Sequence, residues 1–226
     1  MRLVTLDALG TLVELEDPYG RLAAELSIPR EVARAALRAE MAYYREHHDI
    51  ASDAAGLARL RAACAEVLRD ALGGSPLAHD DLLAALLRAL RFRPFPEVPG
   101  ALRDLRAAGL VLVVVSNWDV SLHEVMERTG LRELVDGVLT SAEAGEPKPG
   151  ATMFRTALEL AGAAPAEAAH VGDSVEHDVA GALAVGMRPV LVDRDGTAGA
   201  VPEGVLVVPR LSGTVATAPY PDARSR

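Results

Sequence analysis

Residues 3–12 read LVTLDALGTL: four apolar or β-branched positions, then an acid, Asp7, with Gly10 and Thr11 close behind. Leu3–Leu6 has the content of a buried strand, and a carboxylate at its end falls where an open parallel sheet binds its ligands. Four more short apolar runs read as strands, at Leu110–Val115, Gly137–Leu139, Ala168–Val171 and Pro189–Val192. They alternate with helical patterns at Trp118–Thr129, Thr152–Ala161 and Val175–Val185. That alternation is the mark of β-α-β units, and continuous apolar strands fit a sheet covered by helices on both faces. The expected fold class is α/β, a Rossmann-like parallel sheet.

Between the first two strands lies a long stretch with no strand signal. Tyr19–Leu26, Arg30–Glu46, Asp53–Leu72 and Asp80–Leu90 carry apolar residues at helical spacing, as amphipathic helices packed on one another would. RFRPFPEVPG (91–100), with three prolines, breaks that pattern and reads as the return to the sheet. One further helix follows through Ala108. The division expected is a core over residues 1–14 and 96–210, a helical insert over 15–95, and a tail over 211–226.

The 226 residues suffice for such a core. A net charge of −9 argues against nucleic acid or an anionic membrane as partner. No run approaches the roughly 18 uncharged apolar residues of a membrane span. A start without a basic or apolar leader, and a single cysteine, Cys64, lead us to expect a cytoplasmic protein with no internal disulfide. Of the 23 basic residues, all but Lys148 are arginine; Asn117 is the only asparagine, and glutamine is absent. Residues that survive such a bias are candidates for work their substitutes cannot do.

Each strand is followed by chemistry. Asp7 and Gly-Thr follow the first, Ser116 and Asn117 the second, EPKPG with Lys148 the third, and GDSVEHD with Asp173 and Asp178 the fourth. Together these groups suit phosphoryl transfer through a covalent aspartyl intermediate. A carboxylate can attack phosphorus, a hydroxyl and backbone N–H groups can hold the transferring oxygens, and a lysine can offset the charge. Mg²⁺, a hard ion that takes oxygen ligands, would sit between Asp7, Asp173 and the phosphate. Any one of these acids alone would pass for a turn or cap residue, as Asp119 does. The order of the four sets carries the reading.

DALGTL, VVVSN, KPG and VGDSVEHDVAGALAVGM resemble, in that order, the four motifs of the haloacid dehalogenase-like (HAD) hydrolase superfamily, and the likeness runs from residue 3 to about 192. The resemblance implies a catalytic pair, Asp7 as nucleophile and Lys148 beside it, with Ser116, Asn117 and Lys148 on the phosphoryl group. It implies Mg²⁺ held by Asp7, Asp173, Asp178 and the backbone carbonyl of Leu9. It also implies that the helical insert is a cap closing over the site, and that the partner is a small phosphorylated metabolite.

Leu9 departs from the pattern. Phosphatases of this superfamily usually carry there a second Asp, which protonates the leaving group, and leucine cannot. A branch that cleaves carbon–halogen bonds also lacks that acid, so a 2-haloacid dehalogenase is an alternative, and a non-catalytic phospho-ligand binder is a third. Retained Asp173 and Asp178, and Phe154 where dehalogenases tend to have tyrosine, favour phosphate chemistry. In the insert, YYREHHD (43–49) could lend a proton through His47, although adjacent histidines cannot share one helix face.

Overall fold

The computed structural model describes residues 1–74 and 77–215. Strand β1 (Leu3–Leu6) is buried at all four positions and has a parallel neighbour on each side, which is why it shows no polar–apolar alternation. Next come β2 (Val13–Leu15), helices α1 (Pro18–Leu26), α2 (Arg30–His47), α3 (Ala54–Ala71) and α4 (His79–Ala89), and β3 (Phe92–Pro94). The alternating part follows with α5 (Val98–Ala107), β4 (Val111–Ser116), α6 (Ser121–Arg128), β5 (Gly137–Thr140), a short α7 (Ser141–Ala144) and α8 (Thr152–Ala161). Strand β6 (Ala168–Gly172) leads into a π-helical turn at Val175–Val179, and α9 (Ala180–Ala184), β7 (Arg188–Val192) and β8 (Leu206–Val208) complete the order.

The sheet runs β5-β4-β1-β6-β7-β8, with every pairing parallel. This is the expected α/β class. Strand β1 sits between β4 and β6, so the chain leaves it at the point where the strand order reverses, the usual ligand position in an open sheet.

Neighbouring strand residues serve opposite faces. Val4, Leu6, Leu112 and Val114 pack with α5 and α6 through Leu102, Leu105, Leu122 and Met126. Leu3, Val113 and Val115 pack on the other face with Met153, Phe154 and Ala157 of α8. The four helices α1–α4 hold a separate apolar cluster built on Leu22, Leu37, Leu60, Leu68, Leu82 and Leu86. Asp53 starts α3 by accepting the Gly56 N–H at 2.7 Å, as an N-cap does.

Several elements go beyond the sequence reading. Residues 91–94, expected only as a break, pair antiparallel with β2, so the two connections to the helices run side by side as a ribbon. Strand β8 was unassigned, and at three residues it carries too little pattern to announce itself. Helix α6 starts at Ser121, three residues later than expected, because Asp119 turns the chain by accepting the Ser121 N–H at 2.6 Å. Leu211 and Val215 lie in the main core, so ordered packing continues past residue 210. The rest of the expected tail lies outside the described residues.

Candidate active site

Strand ends place the acids. Asp7 follows β1, Ser116 closes β4, Asp173 follows β6, and Asp178 sits in the π-helical turn. The Asp7 Oδ1 accepts from Ser116 Oγ at 2.9 Å and from Lys148 Nζ at 2.6 Å. No donor among the described residues reaches its Oδ2. Lys148 Nζ also donates to Asp178 Oδ1 at 2.6 Å, so one buried ammonium joins two buried carboxylates.

Asp178 is held from three sides. Besides Lys148, His170 Nε2 lies 3.0 Å from its Oδ1, and the Ser174 N–H donates to its Oδ2 at 2.9 Å. The His170 Nδ1 in turn meets Thr5 Oγ1 at 2.8 Å. The turn brings Asp178 so close to Gly172 that a Cβ there would collide with the carboxyl group. Gly10, at φ +83°, meets Asp173 in the same way.

Charges follow from this packing. Burial pushes the Asp7 carboxyl up, and Asp178 adds to the rise while Lys148 opposes it. Burial would raise Asp178 too, but Lys148 and His170 outweigh it and hold that group below the usual carboxylate range. Burial works against the Lys148 ammonium, yet Asp178 and Asp7 together raise it. The His170 imidazole is lowered by burial. Asp173, although among the exposed residues, is pushed up to about 7 by partial desolvation and by the charges of Asp7 and Asp178.

Asp7, Asp173 and Asp178 each offer a carboxylate oxygen, all within 4.8 Å of one another. Three ionised carboxylates against one ammonium leave two negative charges, and the donors are all oxygen. A hard divalent cation such as Mg²⁺ fits both the charge and the donor set.

The only asparagine and the only lysine of the chain are bonded to each other. Asn117 Oδ1 accepts from the Lys148 N–H at 2.6 Å, and its Nδ2 donates to the Lys148 carbonyl at 3.0 Å. This fixes the backbone from which Nζ reaches Asp7. Both amide atoms, expected to meet a phosphoryl group, are therefore engaged with Lys148. Leu9 is 45% exposed beside this site. His47 stacks on Tyr43 with ring centroids 4.0 Å apart, and its neighbour His48 is the one that turns inward, with Nε2 3.1 Å from Ser141 Oγ. Phe154 is wholly buried and packs edge-on against His170 at 4.9 Å.

A family model described as haloacid dehalogenase-like hydrolase matches residues 1–186. The chain belongs to this family. It is 35% identical over 208 residues to haloacid dehalogenase-like hydrolase domain-containing protein 3 of Mus musculus, covering 85% of this chain and 82% of that one. It is 41% identical over 133 residues to a phosphoserine phosphatase of Thermus thermophilus, covering 57% of this chain and 53% of that enzyme. A crystal structure of a HAD phosphatase from Thermococcus onnurineus superposes with a TM-score of 0.64 at 25% identity, over 93% of this chain and 94% of that one.

Two contributors were missed in the sequence. His170 is the one polar ring in an apolar strand, AAHVG (168–172), a signal that was present but unread. Arg194 had no signal. From beyond β7 it donates to the carbonyls of Gly10 and Thr11, each at 2.9 Å, pairs with Glu97 at 2.7 Å and stacks on Phe95, bracing the loop that follows Asp7.

Proposed function

We propose that this HAD-like hydrolase is a Mg²⁺-dependent phosphatase of small phosphorylated metabolites, working through an aspartyl-phosphate. The observation that carries the reading is Asp7 itself. Its Oδ1 is held by Ser116 and Lys148 while Oδ2 is left free of donors to attack. Attack on phosphorus forms the Asp7–phosphate bond and breaks the ester P–O bond; water then displaces phosphate from Asp7. Lys148 offsets charge on the nucleophile and the transferring group, and Ser116 orients both. Asp178, held by Lys148, His170 and Ser174, steadies Lys148 and the acidic cluster. Bound Mg²⁺, held by Asp7, Asp173, Asp178 and the Leu9 carbonyl, would supply charge neutralisation at the phosphoryl oxygens. Helices α1–α4 act as the cap over the site. The enzyme belongs in the cytosol, consistent with one buried cysteine among those helices.

Phosphatase names among the relatives, and a buried Phe154, support this over a 2-haloacid dehalogenase. The test is release of phosphate from aryl phosphates and of halide from 2-chloropropionate, each with Mg²⁺ and with a chelator. Phosphate release that needs Mg²⁺, and that Asp7→Asn reduces at least 10³-fold, is the expected result. Metal-independent halide release would establish the dehalogenase instead, and saturable phosphate binding without turnover the non-catalytic binder.

A further inference from the structure

A cavity of about 500 Å³ lies between the cap helices and the sheet, the size of a small-molecule site. Leu9, Leu60, Leu83, Leu86, Leu90 and Phe92 make its wall mostly hydrocarbon. Leu9 and Asn117 place one end of the cavity next to Asp7 and Lys148. A phosphoryl group on Asp7 would therefore point its ester oxygen toward this space.

The polar side chains on the wall are largely spent on one another. Glu124 pairs with Arg61 and Arg128, both at 3.5 Å. Asn117 holds Lys148, His48 holds Ser141, and the Glu40 carboxyl lies beside the Cys64 thiol. Tyr44 is no exception: its hydroxyl is buried against the Asp119 carboxyl and turned from the open space, and burial and that neighbouring charge hold the phenol well above its usual range.

We infer that the substrate is a phosphate monoester of a mid-sized apolar alcohol or phenol. The inference rests on the phosphatase reading and names the class of leaving group. A sugar or polyol phosphate would bring several hydroxyls to a wall with little to offer them, and each hydroxyl left unpaired weakens binding about tenfold or more. Hydrocarbon gains instead, at about fourfold per buried methylene. Leu9 then has a purpose of its own. It supplies apolar contact to the leaving group where an acid would have put a charge on the cavity wall, and phenols depart without a donated proton.

Binding can be read without turnover. Trp118 is the only tryptophan and lines the cavity, so its fluorescence reports occupancy. Alkylphosphonates, which cannot be hydrolysed, are titrated in Mg²⁺ from methyl to octyl, with glycerol phosphate alongside. The expected result is a Kd that tightens about fourfold per methylene until the cavity is full, with glycerol phosphate at least 100-fold weaker than the best alkyl ligand. Leu83→Asp, at a half-buried wall position, should flatten the chain-length series and leave methylphosphonate unchanged. If Leu83→Asp does not fold, the wild-type series decides alone. A Kd independent of chain length, or tightest for glycerol phosphate, overturns the inference. Turnover of polar phosphates alongside a flat series would leave the phosphatase reading standing and remove this one; a steep series without any turnover would do the reverse.

Discussion

Lys148 and Asn117 show how far a single residue could be read from composition. A chain that uses arginine and avoids amides kept one lysine and one asparagine, and the structure bonds them to each other. Their importance was legible; their partnership was not, because spacing along a chain does not say which groups meet across 31 residues. Lys148→Arg tests the reason for the lysine. A planar guanidinium cannot sit 2.6 Å from both Asp7 and Asp178 in the space of an ammonium. kcat/KM on an aryl phosphate should fall at least 100-fold, while unchanged kcat/KM would show that only the positive charge matters. Leu9 offers the complementary gain. A positioned acid is worth roughly 10²–10⁴-fold, so Leu9→Asp should raise kcat on alkyl phosphates by about that factor and on aryl phosphates by far less. Steady-state rates on both substrate types decide it; a variant slower on both would mean that the acid comes from another side chain.

Strand ends and turns carried the site, and the two kinds of element were unequally legible. Strands β1, β4, β5, β6 and β7 are runs of apolar residues and could be read to within a residue. The turn after β6 could not. VEHDV (175–179) looks like the start of a plain helix, yet it winds as a π-turn, with the Asp178 and Val179 N–H groups both reaching the Ser174 carbonyl, at 3.0 and 3.1 Å. The extra residue in that turn carries Asp178 back toward Lys148 and His170, a consequence of tertiary bonds that local propensity does not contain. Gly172 is the tolerance that permits it. Gly172→Ala puts a methyl group onto the Asp178 carboxyl and should displace it. The expected outcome is at least a tenfold drop in kcat with a raised Mg²⁺ concentration for half-activity, read by metal titration. A drop in thermal stability with normal kinetics would limit the glycine to packing.

At the scale of the molecule, two apolar cores meet across one seam, which holds the cavity. The division was visible as a long stretch of helical pattern between two strands, because amphipathic helices that bury their own leucines announce a separate core. What the seam holds was hidden, since it is assembled from α2, α3, α4, α6 and the loop after β4. Glu40 is its clearest case. It reads as one more charge on an arginine-rich helix, but it is 2% exposed and lies beside the Cys64 thiol. Burial raises its carboxyl from the ordinary 4.5 to about 7, and the thiol contact offsets only part of the rise. The folded state therefore favours the protonated form more than the unfolded chain does. That contribution to stability is complete below pH 4.5 and is lost as the pH rises through 7. Between pH 5 and 8.5 the loss is on the order of 2–3 kcal/mol, at 1.36 kcal/mol per unit over the range where the two states differ. Glu40→Gln stays neutral throughout and keeps a hydrogen-bonding group of the same shape. Urea unfolding of both proteins across that range should show the wild type losing roughly 2–3 kcal/mol more than the variant. Parallel curves would mean that Glu40 reaches water in the folded protein, and the seam would then be open where the structure closes it.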